Sequence, residues 1–348
     1  MVSALRSLGL AAAAAACLVQ SASAQTFCTA APATPGDRRA DKTQLKYATY
    51  NAEFLFLTGF GTLKCPGADC KWKTAADVQS HVKQVASIIK TLDADIVQVT
   101  EVEDCTALGA VITQLNALGD DTYKPYIVKG TDSATGQNVG FLTRVDPIST
   151  VLRTSASAST PVSNSTCPST TGFAASKSVS KNIFATFKPT GFSKPITVIG
   201  AHFLARPDDK KRCFEREAQA TVIANLAVSQ VSAGNHVIMS GDFNDWSKTF
   251  PDRNSNVPIS NALGIMERTG FFNVAGLAAK ASRFTQWFDR NKDCVFASTE
   301  VSSLDHIIVS TSLKAGVKEA AFRNDLYTAS CSGFNSDHYP ITTTIAAI

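Results

Sequence analysis

The residues with the clearest capacity for chemistry lie in two short strings in the second half of the chain. One string is GDFND, from Gly241 to Asp245, and the other is SDHYP, from Ser336 to Pro340. A run of strand character precedes the first (HVIMS) and follows the second (ITTTI), so loops at strand ends hold an Asp, an Asn and an Asp-His pair. Metal-assisted attack of water on a phosphoester needs these groups.

Further acids, amides and imidazoles stand at the ends of other predicted strands. Each alone has a structural explanation, because Asp and Asn after a strand commonly form Asx turns and a lone strand-end His is often a satisfied structural group. Their joint occurrence, each beside a strand, favours one composite site. The residues are Asn51, Glu53, Glu101, His202, Asp242, Asn244, Asp305, Asp337 and His338.

Six strings carry a resemblance to the endonuclease/exonuclease/phosphatase superfamily: TYNAEFLF, DADIVQVTEVED, VIGAHF, IMSGDFND, SLDHIIV and NSDHYPI. That group includes pancreatic-type deoxyribonucleases, abasic-site endonucleases, neutral sphingomyelinases and inositol polyphosphate phosphatases. The matches run in the family's order from about Leu45 to Ile345. The resemblance implies an α+β (α/β) fold, a four-layer α/β/β/α sandwich with two packed mixed β-sheets, and a divalent cofactor, usually Mg²⁺, with Mn²⁺ or Ca²⁺ as alternatives.

The resemblance also implies a metal side of the site. Glu101 matches the metal carboxylate, and Asn51 beside it is a ligand or a phosphate contact. Glu53 stands where some members carry a second acid near the metal, and Asp337 lies at the metal. Many members carry Asn where this chain has Phe54, which weakens assignment to a particular subfamily. Magnesium prefers oxygen ligands and keeps several waters, so one or two carboxylates suffice.

The catalytic side follows from the same resemblance. His202 is expected to donate to a phosphate oxygen, and Asn244 to stabilise the pentavalent phosphorane. Asp242 orients or deprotonates the attacking water. Asp305 orients His338 or binds a second metal, while His338 is the general base or a phosphate donor. The sequence does not decide whether Asp242 or His338 takes the proton of the attacking water.

The first functional hypothesis is a secreted, metal-dependent nuclease whose partner is nucleic acid. The segment after His202 is dense in cations, although neighbouring acids make a solvated helix face an equal alternative. Those cations are Arg206, Lys210, Lys211, Arg212 and Arg216. Three tryptophans, Trp72, Trp246 and Trp287, are candidates for base stacking, and Trp246 is the best placed because it directly follows GDFND.

Two alternatives remain. A sphingomyelinase-like lipid phosphodiesterase or phosphatase would share the chemistry, but the only apolar candidate for membrane entry, FLFLTGF after Glu53, reads better as core. A catalytically inactive secreted binding protein is the alternative from another class. The complete set of strand-end polar residues argues against it.

Composition and the N-terminus bound the class of protein. The chain has 348 residues, 44% hydrophobic and 18% charged, with a net charge of +4, which is ordinary for one large core or at most two domains. Residues 1–24 read as a secretory signal, with one early Arg, a short apolar run and Ala22-Ser23-Ala24 at the cleavage site. No later segment is apolar enough to span a bilayer. We therefore expect a secreted, extracellular monomer without a stable membrane anchor.

Eight cysteines follow the signal, and an even number in an exported protein predicts disulfides. They are Cys28, Cys65, Cys70, Cys105, Cys167, Cys213, Cys294 and Cys331. The string CPGADC makes a local Cys65–Cys70 bridge plausible, and spacing leaves the other pairings open. Zinc is the competing use of cysteine, but no CxxC pair with matching His partners is present.

The elements that must position these residues can be predicted from periodicity. Residues 25–44 read as a polar tail, and 45–348 as one domain of mixed strands and helices. Residues 154–180 are rich in Ser and Thr and read as a long surface excursion. The predicted helices cover 74–92, 105–118 and 211–232, and the predicted strands 45–51, 94–101, 123–128, 138–144, 182–187, 196–202, 236–240, 283–288, 306–310 and 339–345.

Overall fold

Two mixed β-sheets form the centre of the computed structural model, which describes residues 26–58, 71–268, 270–328, 331 and 333–348. One sheet has six strands in the order β14-β15-β1-β2-β4-β3, and the other has five in the order β10-β13-β9-β8-β7. The strands are β1 (Gln44–Leu55), β2 (Ile96–Val102), β3 (Lys124–Ile127), β4 (Asn138–Thr143), β5 (Ser157–Ser159), β6 (Ser176–Ser178), β7 (Lys181–Phe187), β8 (Ile196–His202), β9 (His236–Asp242), β10 (Phe271–Asn273), β11 (Gln286–Trp287), β12 (Val301–Ser302), β13 (Asp305–Ser310), β14 (Val317–Phe322) and β15 (Ile341–Ala346).

Helices cover the outer faces of both sheets. The α-helices are α1 (Ala75–Leu92), α2 (Cys105–Ala117), α3 (Lys210–Ser232), α4 (Ala262–Met266) and α5 (Thr311–Lys314). Helix α1 begins at a capping box, in which Thr74 accepts from the Asp77 N–H and the Asp77 carboxylate accepts from the Thr74 N–H. Short 3-10 helices occupy Val274–Leu277, Lys280–Ser282 and Ser298–Glu300.

Three apolar layers hold this arrangement together. The layer between the sheets includes the fully buried side chains of Tyr47, Phe141, Phe187, Ile238 and Ile307. A second layer packs α1 and α2 against the six-stranded sheet, and a third packs α3 and α4 against the five-stranded sheet. The order helix, sheet, sheet, helix confirms the predicted four-layer sandwich.

Strand direction brings the polar strand ends to one edge. Strands β1 and β2 run parallel in one sheet, and β8 and β9 run parallel in the other, so their carboxyl ends leave the sheets on the same side. Strand β13 is antiparallel to β9 and begins there, with Asp305 opposite Asp242. His202 lies opposite Asp242 on the other flank of β9. The central strand thus presents its last residue between two polar partners.

The structure differs from the sequence-based assignment in several elements. The sequence analysis missed β14, because its pairing shifts register between Val317 and Glu319 and the consecutive residues Lys318 and Glu319 are both exposed, so buried and exposed residues do not alternate regularly. The Ser/Thr-rich segment contains the short β5–β6 hairpin. The strand predicted over 283–288 is limited to Gln286–Trp287, and the last strand is Ile341–Ala346.

Residues 26–43, which read as a polar tail, pack along the domain. Cys28 is bonded to Cys105 and pairs its backbone with Ile127. Arg38 contacts Asp146 at 2.8 Å (Nη2 to Oδ1). These contacts to α2 and to the six-stranded sheet explain why a segment with the composition of a polar tail is ordered.

The predicted use of cysteine as disulfides is confirmed for six of the eight residues. The three bridges are Cys28–Cys105, Cys167–Cys213 and Cys294–Cys331. The expected Cys65–Cys70 bridge and the predicted signal segment lie outside the described residues. Among the residues that the structure describes, no helix has the length and apolar character needed to cross a membrane.

Candidate active site

The predicted polar residues converge at one edge of the two sheets, around a cavity of about 390 Å³. Seven of the nine line this cavity directly: Glu53, Glu101, His202, Asp242, Asn244, Asp337 and His338. The other two stand immediately behind them, since Asn51 donates to Glu101 and Asp242, and Asp305 contacts His338. The sequence prediction of one composite site is thus met in space, while the role of each residue remains a prediction.

Asn51 links the two sheets at the floor of the cavity. Its Nδ2 donates to Glu101 Oε1 and to Asp242 Oδ2, each at 3.1 Å. The other Glu101 oxygen accepts from the Phe54 N–H at 3.1 Å. Glu53, Phe54 and Glu101 all have positive φ, at 44°, 49° and 62°, where the β1–β2 register shifts. Such left-handed conformations are costly for these residue types and concentrate at functional sites.

The glycine of GDFND is required by the close approach of β8. Gly241 has φ of 133°, and a Cβ at this position would lie 1.9 Å from the carbonyl oxygen of Ala201. Beyond it, the Asn244 N–H donates to Asp242 Oδ1 at 2.9 Å, and Asn244 Nδ2 donates to the Phe203 carbonyl at 3.2 Å. The string therefore folds as a tight turn that points both the carboxylate and the carboxamide at the cavity.

The two site histidines experience opposite environments. His202 Nε2 lies 3.6 Å from Asp242 Oδ2 and 4.0 Å from Glu101 Oε1, and its Nδ1 has no partner among the described residues. Burial, helped by the nearby cations of Lys181 and His338, holds the pKa of His202 well below its ordinary value. A neutral imidazole at this position keeps one nitrogen as donor and one as acceptor.

His338 is instead surrounded by acids. Its Nδ1 contacts Asp305 Oδ2 at 2.6 Å, and its Nε2 lies 3.8 Å from Asp242 and 3.9 Å from Asp337. Burial disfavours the charged ring, but Asp305, Asp337 and Asp242 together raise the pKa of His338 well above its ordinary value. The short hydrogen bond to Asp305 occupies Nδ1, so only Nε2 is left to face the cavity.

Three residues of the site were given no role in the sequence analysis, although one of them, Ser336, opens the string SDHYP. Lys71 Nζ pairs with Glu53 Oε2 at 2.9 Å, and the same Glu53 oxygen accepts from the Asp337 N–H at 2.8 Å. Gln286 donates to Asp337 Oδ2 at 3.1 Å. Ser336 donates to the Asn51 carbonyl at 2.7 Å and accepts from the His338 N–H. No pattern in the chain marks Lys71 or Gln286, because their partners are brought to them only by folding.

The electrostatics favour a cation in the cavity. Burial and the neighbouring Asp305 raise the pKa of Asp242 to about 7, and burial and Asp337 raise the pKa of Glu53 to about 8 against the opposing effect of Lys71. Burial also raises the pKa of Glu101. Ligand atoms of Glu101, His202 and Asp242 lie within 4.8 Å of one another. The carboxylate oxygens of this cluster suit Mg²⁺, and Glu101 would hold it, so the residues fit the expected ion.

Comparison with solved structures shows which known proteins share this fold. No family model matches the chain, and no curated protein matches it. Solved structures do match, at low sequence identity. An endonuclease/exonuclease/phosphatase from Bacteroides vulgatus is 16% identical, with a TM-score of 0.54, over 88% of this chain and 100% of that chain. A truncated Caenorhabditis elegans TDP2 is 16% identical, with a TM-score of 0.52, over 87% and 98%.

A D. rerio TDP2 structure, complexed with a single-strand DNA product, is 14% identical, with a TM-score of 0.53, over 87% of this chain and 98% of that chain. At these identities the likeness establishes the fold alone. It extends over nearly the whole length of each compared chain.

Proposed function

We propose that this chain, which has the fold of the endonuclease/exonuclease/phosphatase superfamily, is a divalent-metal-dependent phosphodiesterase that hydrolyses nucleic acid outside the cell. The observation that carries the proposal is the convergence of Asn51, Glu101, His202, Asp242 and His338, from five separate segments, on one cavity. Fold alone does not define an activity, but a carboxylate cluster beside two imidazoles and a carboxamide supplies the parts of phosphoester hydrolysis.

The geometry suggests a division of labour. A bound divalent cation supplies charge neutralisation at the phosphoryl oxygens. Asp242 Oδ2 lies between Asn51, His202 and His338, at 3.1, 3.6 and 3.8 Å from their nitrogens, and is placed to accept a proton from an attacking water. His338 presents only Nε2 to the cavity and is placed to donate to a phosphoryl oxygen. Asn244 and His202 add further donors there.

Two features support an extracellular nucleic-acid substrate. Three disulfides within the described residues suit an oxidising compartment. The cavity wall at Ala205 continues into the basic first turn of α3, where Lys210 and Lys211 are exposed. A negatively charged backbone reaching the cavity from this side would gain favourable charge contacts.

One observation favours a second candidate, a lipid phosphodiesterase. Phe288 lines the catalytic cavity and is 59% exposed, and Val295 on the same loop is 63% exposed. The Cys294–Cys331 bridge ties this loop to the opposite wall of the cavity. Exposed apolar side chains at a catalytic mouth are typical of contact with a lipid surface as well as with bases.

A substrate panel tests the proposal. The oxidised protein is incubated with plasmid DNA, single-stranded DNA, RNA, sphingomyelin vesicles and bis(p-nitrophenyl) phosphate, with Mg²⁺, with chelator, and with Mg²⁺, Mn²⁺ or Ca²⁺ restored. We expect cleavage of nucleic acid that the chelator abolishes and a metal restores. Hydrolysis confined to sphingomyelin would select the lipid enzyme, and no turnover of any phosphoester would select the inactive binding protein. Size-exclusion chromatography checks the expected monomer.

A further inference from the structure

A second cavity, of about 440 Å³, lies beside the turn that follows GDFND. Its walls include Trp246, Lys210 and Lys248 together with the segment 257–261. None of these residues lines the catalytic cavity. The proposed function makes no use of this space, although its lining combines an aromatic ring with two cations.

The two cavities adjoin, because two segments of chain pass from one to the other. Asn244 lines the catalytic cavity and Trp246 the second, and residues two apart in sequence lie within about 7 Å. Likewise, Ala205 lines the catalytic cavity, and Lys210, at the start of α3, lines the second cavity. A substrate chain bound at Asp242 could therefore continue from the catalytic cavity toward the second cavity.

The wall between the cavities is rigid. Arg216 is fully buried and donates to the carbonyls of Arg206 and Pro207, at 2.9 and 2.8 Å. Its Nε lies 3.7 Å from Asp245 Oδ2, and Ser260 donates to the same carboxylate oxygen. These contacts fix the segment before α3 and the backbone at Asp245, directly before Trp246. The wall that carries Trp246 is thus ordered before any ligand arrives, which lowers the entropic cost of binding there.

Lys210 and Lys248 are exposed and form no ion pair within the part of the chain that the structure describes. Lys210 opens the first turn of α3 together with Lys211 and Arg212, although the helix dipole disfavours positive charge there. The N-cap Asp209 offsets part of this charge, since it accepts from the Lys211 N–H at 2.9 Å and lies 3.6 Å from Arg212. Lys210 and Lys248 remain available to a ligand, and phosphate is the group that suits two lysine cations.

We propose that the second cavity binds the nucleotide next to the scissile phosphate of an unpaired nucleic-acid strand, with its base stacked on Trp246 and its phosphate between Lys210 and Lys248. This inference rests on the proposed function and specifies its substrate as a strand whose bases are accessible. Stacking on a single aromatic ring tolerates any base, so the subsite adds affinity without sequence preference. A base-paired duplex cannot offer its base face to Trp246.

The test compares a long and a short substrate in the same variants. Trp246→Ala and the double variant Lys210→Ala/Lys248→Ala are assayed with a single-stranded oligonucleotide and with bis(p-nitrophenyl) phosphate, which fills the catalytic cavity only. Trp246→Phe keeps an aromatic face, and Lys194→Ala removes an exposed cation near the opposite end of β8. Circular dichroism and melting temperature confirm that each variant is folded.

We expect Trp246→Ala to raise KM for the oligonucleotide about tenfold, as for the loss of one stacked base, and to leave bis(p-nitrophenyl) phosphate hydrolysis unchanged. Trp246→Phe should retain most of the affinity. The double lysine variant should reduce the slope of log affinity against log salt by about 1.4 for its two charges, while Lys194→Ala should not change it.

Equal effects of Trp246→Ala on both substrates, or no effect on the oligonucleotide, would overturn the subsite while leaving the proposed hydrolase intact. If the parent protein turns over no phosphoester, the proposed function fails instead. Fluorescence anisotropy with a labelled oligonucleotide then still measures the subsite, with weaker binding by Trp246→Ala expected and unchanged binding refuting it.

Discussion

The two ends of the β-sheets both gather buried acids, but they surround them differently. At the end opposite the catalytic cavity, Asp146 contacts Arg38 at 2.8 Å, and Asp120 contacts Arg144 at 2.7 Å. At the catalytic end, Asp242 is surrounded by Asp305, Glu101 and two imidazoles. One end neutralises its carboxylates with guanidinium groups, and the other surrounds Asp242 with further acids and with imidazoles.

The pKa values record the difference. At the far end the pKa of Asp146 falls to about 2, because hydrogen bonds from Arg38 and the Gly36 N–H outweigh the effect of burial. At the catalytic end burial and like charge raise the pKa of Asp242 to about 7. Asp95 is the far-end exception, since burial raises its pKa to about 6 despite Arg144 at 3.8 Å. Acids paired with arginine stabilise the fold, whereas the like charges around Asp242 repel one another, and a bound cation would relieve that repulsion.

The largest expected effect is on catalysis at the cavity end. We expect Asp242→Ala, Asn244→Ala and His338→Ala each to lower kcat on the preferred phosphoester at least about a hundredfold, because each removes a group aimed at the reacting phosphate. The free energy of unfolding should fall little, and Asp242→Asn should leave it unchanged or raise it by removing like-charge repulsion. Steady-state kinetics and urea titration measure the two quantities. A near-normal kcat in His338→Ala would remove that residue from the mechanism.

At the end of the sheets opposite the catalytic cavity, we expect a substitution to lower stability without affecting catalysis. Arg144 contacts Asp93 and Asp120, each at 2.7 Å, and lies 4.6 Å over the Tyr123 ring. Arg144→Ala should lower the free energy of unfolding by about 3 kcal/mol, since it strands buried acids, and should leave kcat unchanged. Lys318→Ala, at an exposed position of β14, is the control and should stay within about 0.5 kcal/mol. A loss of kcat equal to that of Asp242→Ala would erase the contrast between the two ends.

Binding of a divalent cation should stabilise the folded protein only through the carboxylates at the catalytic end of the sheets. Mg²⁺ at ten times its Kd should raise the free energy of unfolding by about 1.4 kcal/mol, because it binds the folded state. Glu101→Gln should abolish most of this gain, whereas Asp120→Asn should retain it. Thermal melts with and without Mg²⁺ measure the difference. An equal shift in the Glu101 variant would place the cation elsewhere.

The smallest effect concerns acid stability. The folded-state pKa of Asp146 lies below its ordinary value, so its stabilising contribution is present above pH 4 and is lost as pH falls toward 2. Asp146→Asn should therefore lose less stability than the parent between pH 5 and pH 3, by under about 1 kcal/mol because its partner Arg38 is partly exposed. Urea titrations at the two pH values give the comparison. A steeper loss in the variant would show that the ion pair does not stabilise the fold.

Much of the candidate site could be predicted from short strings because the relevant constraints are local. GDFND needs Gly241 for the approach to Ala201 and places Asp242 and Asn244 by a single turn. The capping box at Thr74 likewise marks the start of α1. The sequence predicted that disulfides exist but not which cysteines pair. The Cys28–Cys105 bridge depends on how the N-terminal segment packs against the start of α2.

Other features have no local cause. The ion pair of Lys71 with Glu53 joins residues 18 positions apart, and Gln286 reaches Asp337 from 51 positions away. Edge strand β14 does not alternate regularly, because its pairing with β15 shifts register between Val317 and Glu319. The second cavity beside Trp246 is bounded by segments from three parts of the chain.

The sequence by itself determined the kinds of groups and their place at strand ends, because strand and turn formation depend on neighbouring residues. Only the tertiary structure decided the charge state of each group and which other groups surround it. The opposed pKa shifts of His202 and His338 arise from burial and from carboxylates contributed by other strands. Electrostatic energy depends on distance in space, and the packing of the two sheets sets those distances.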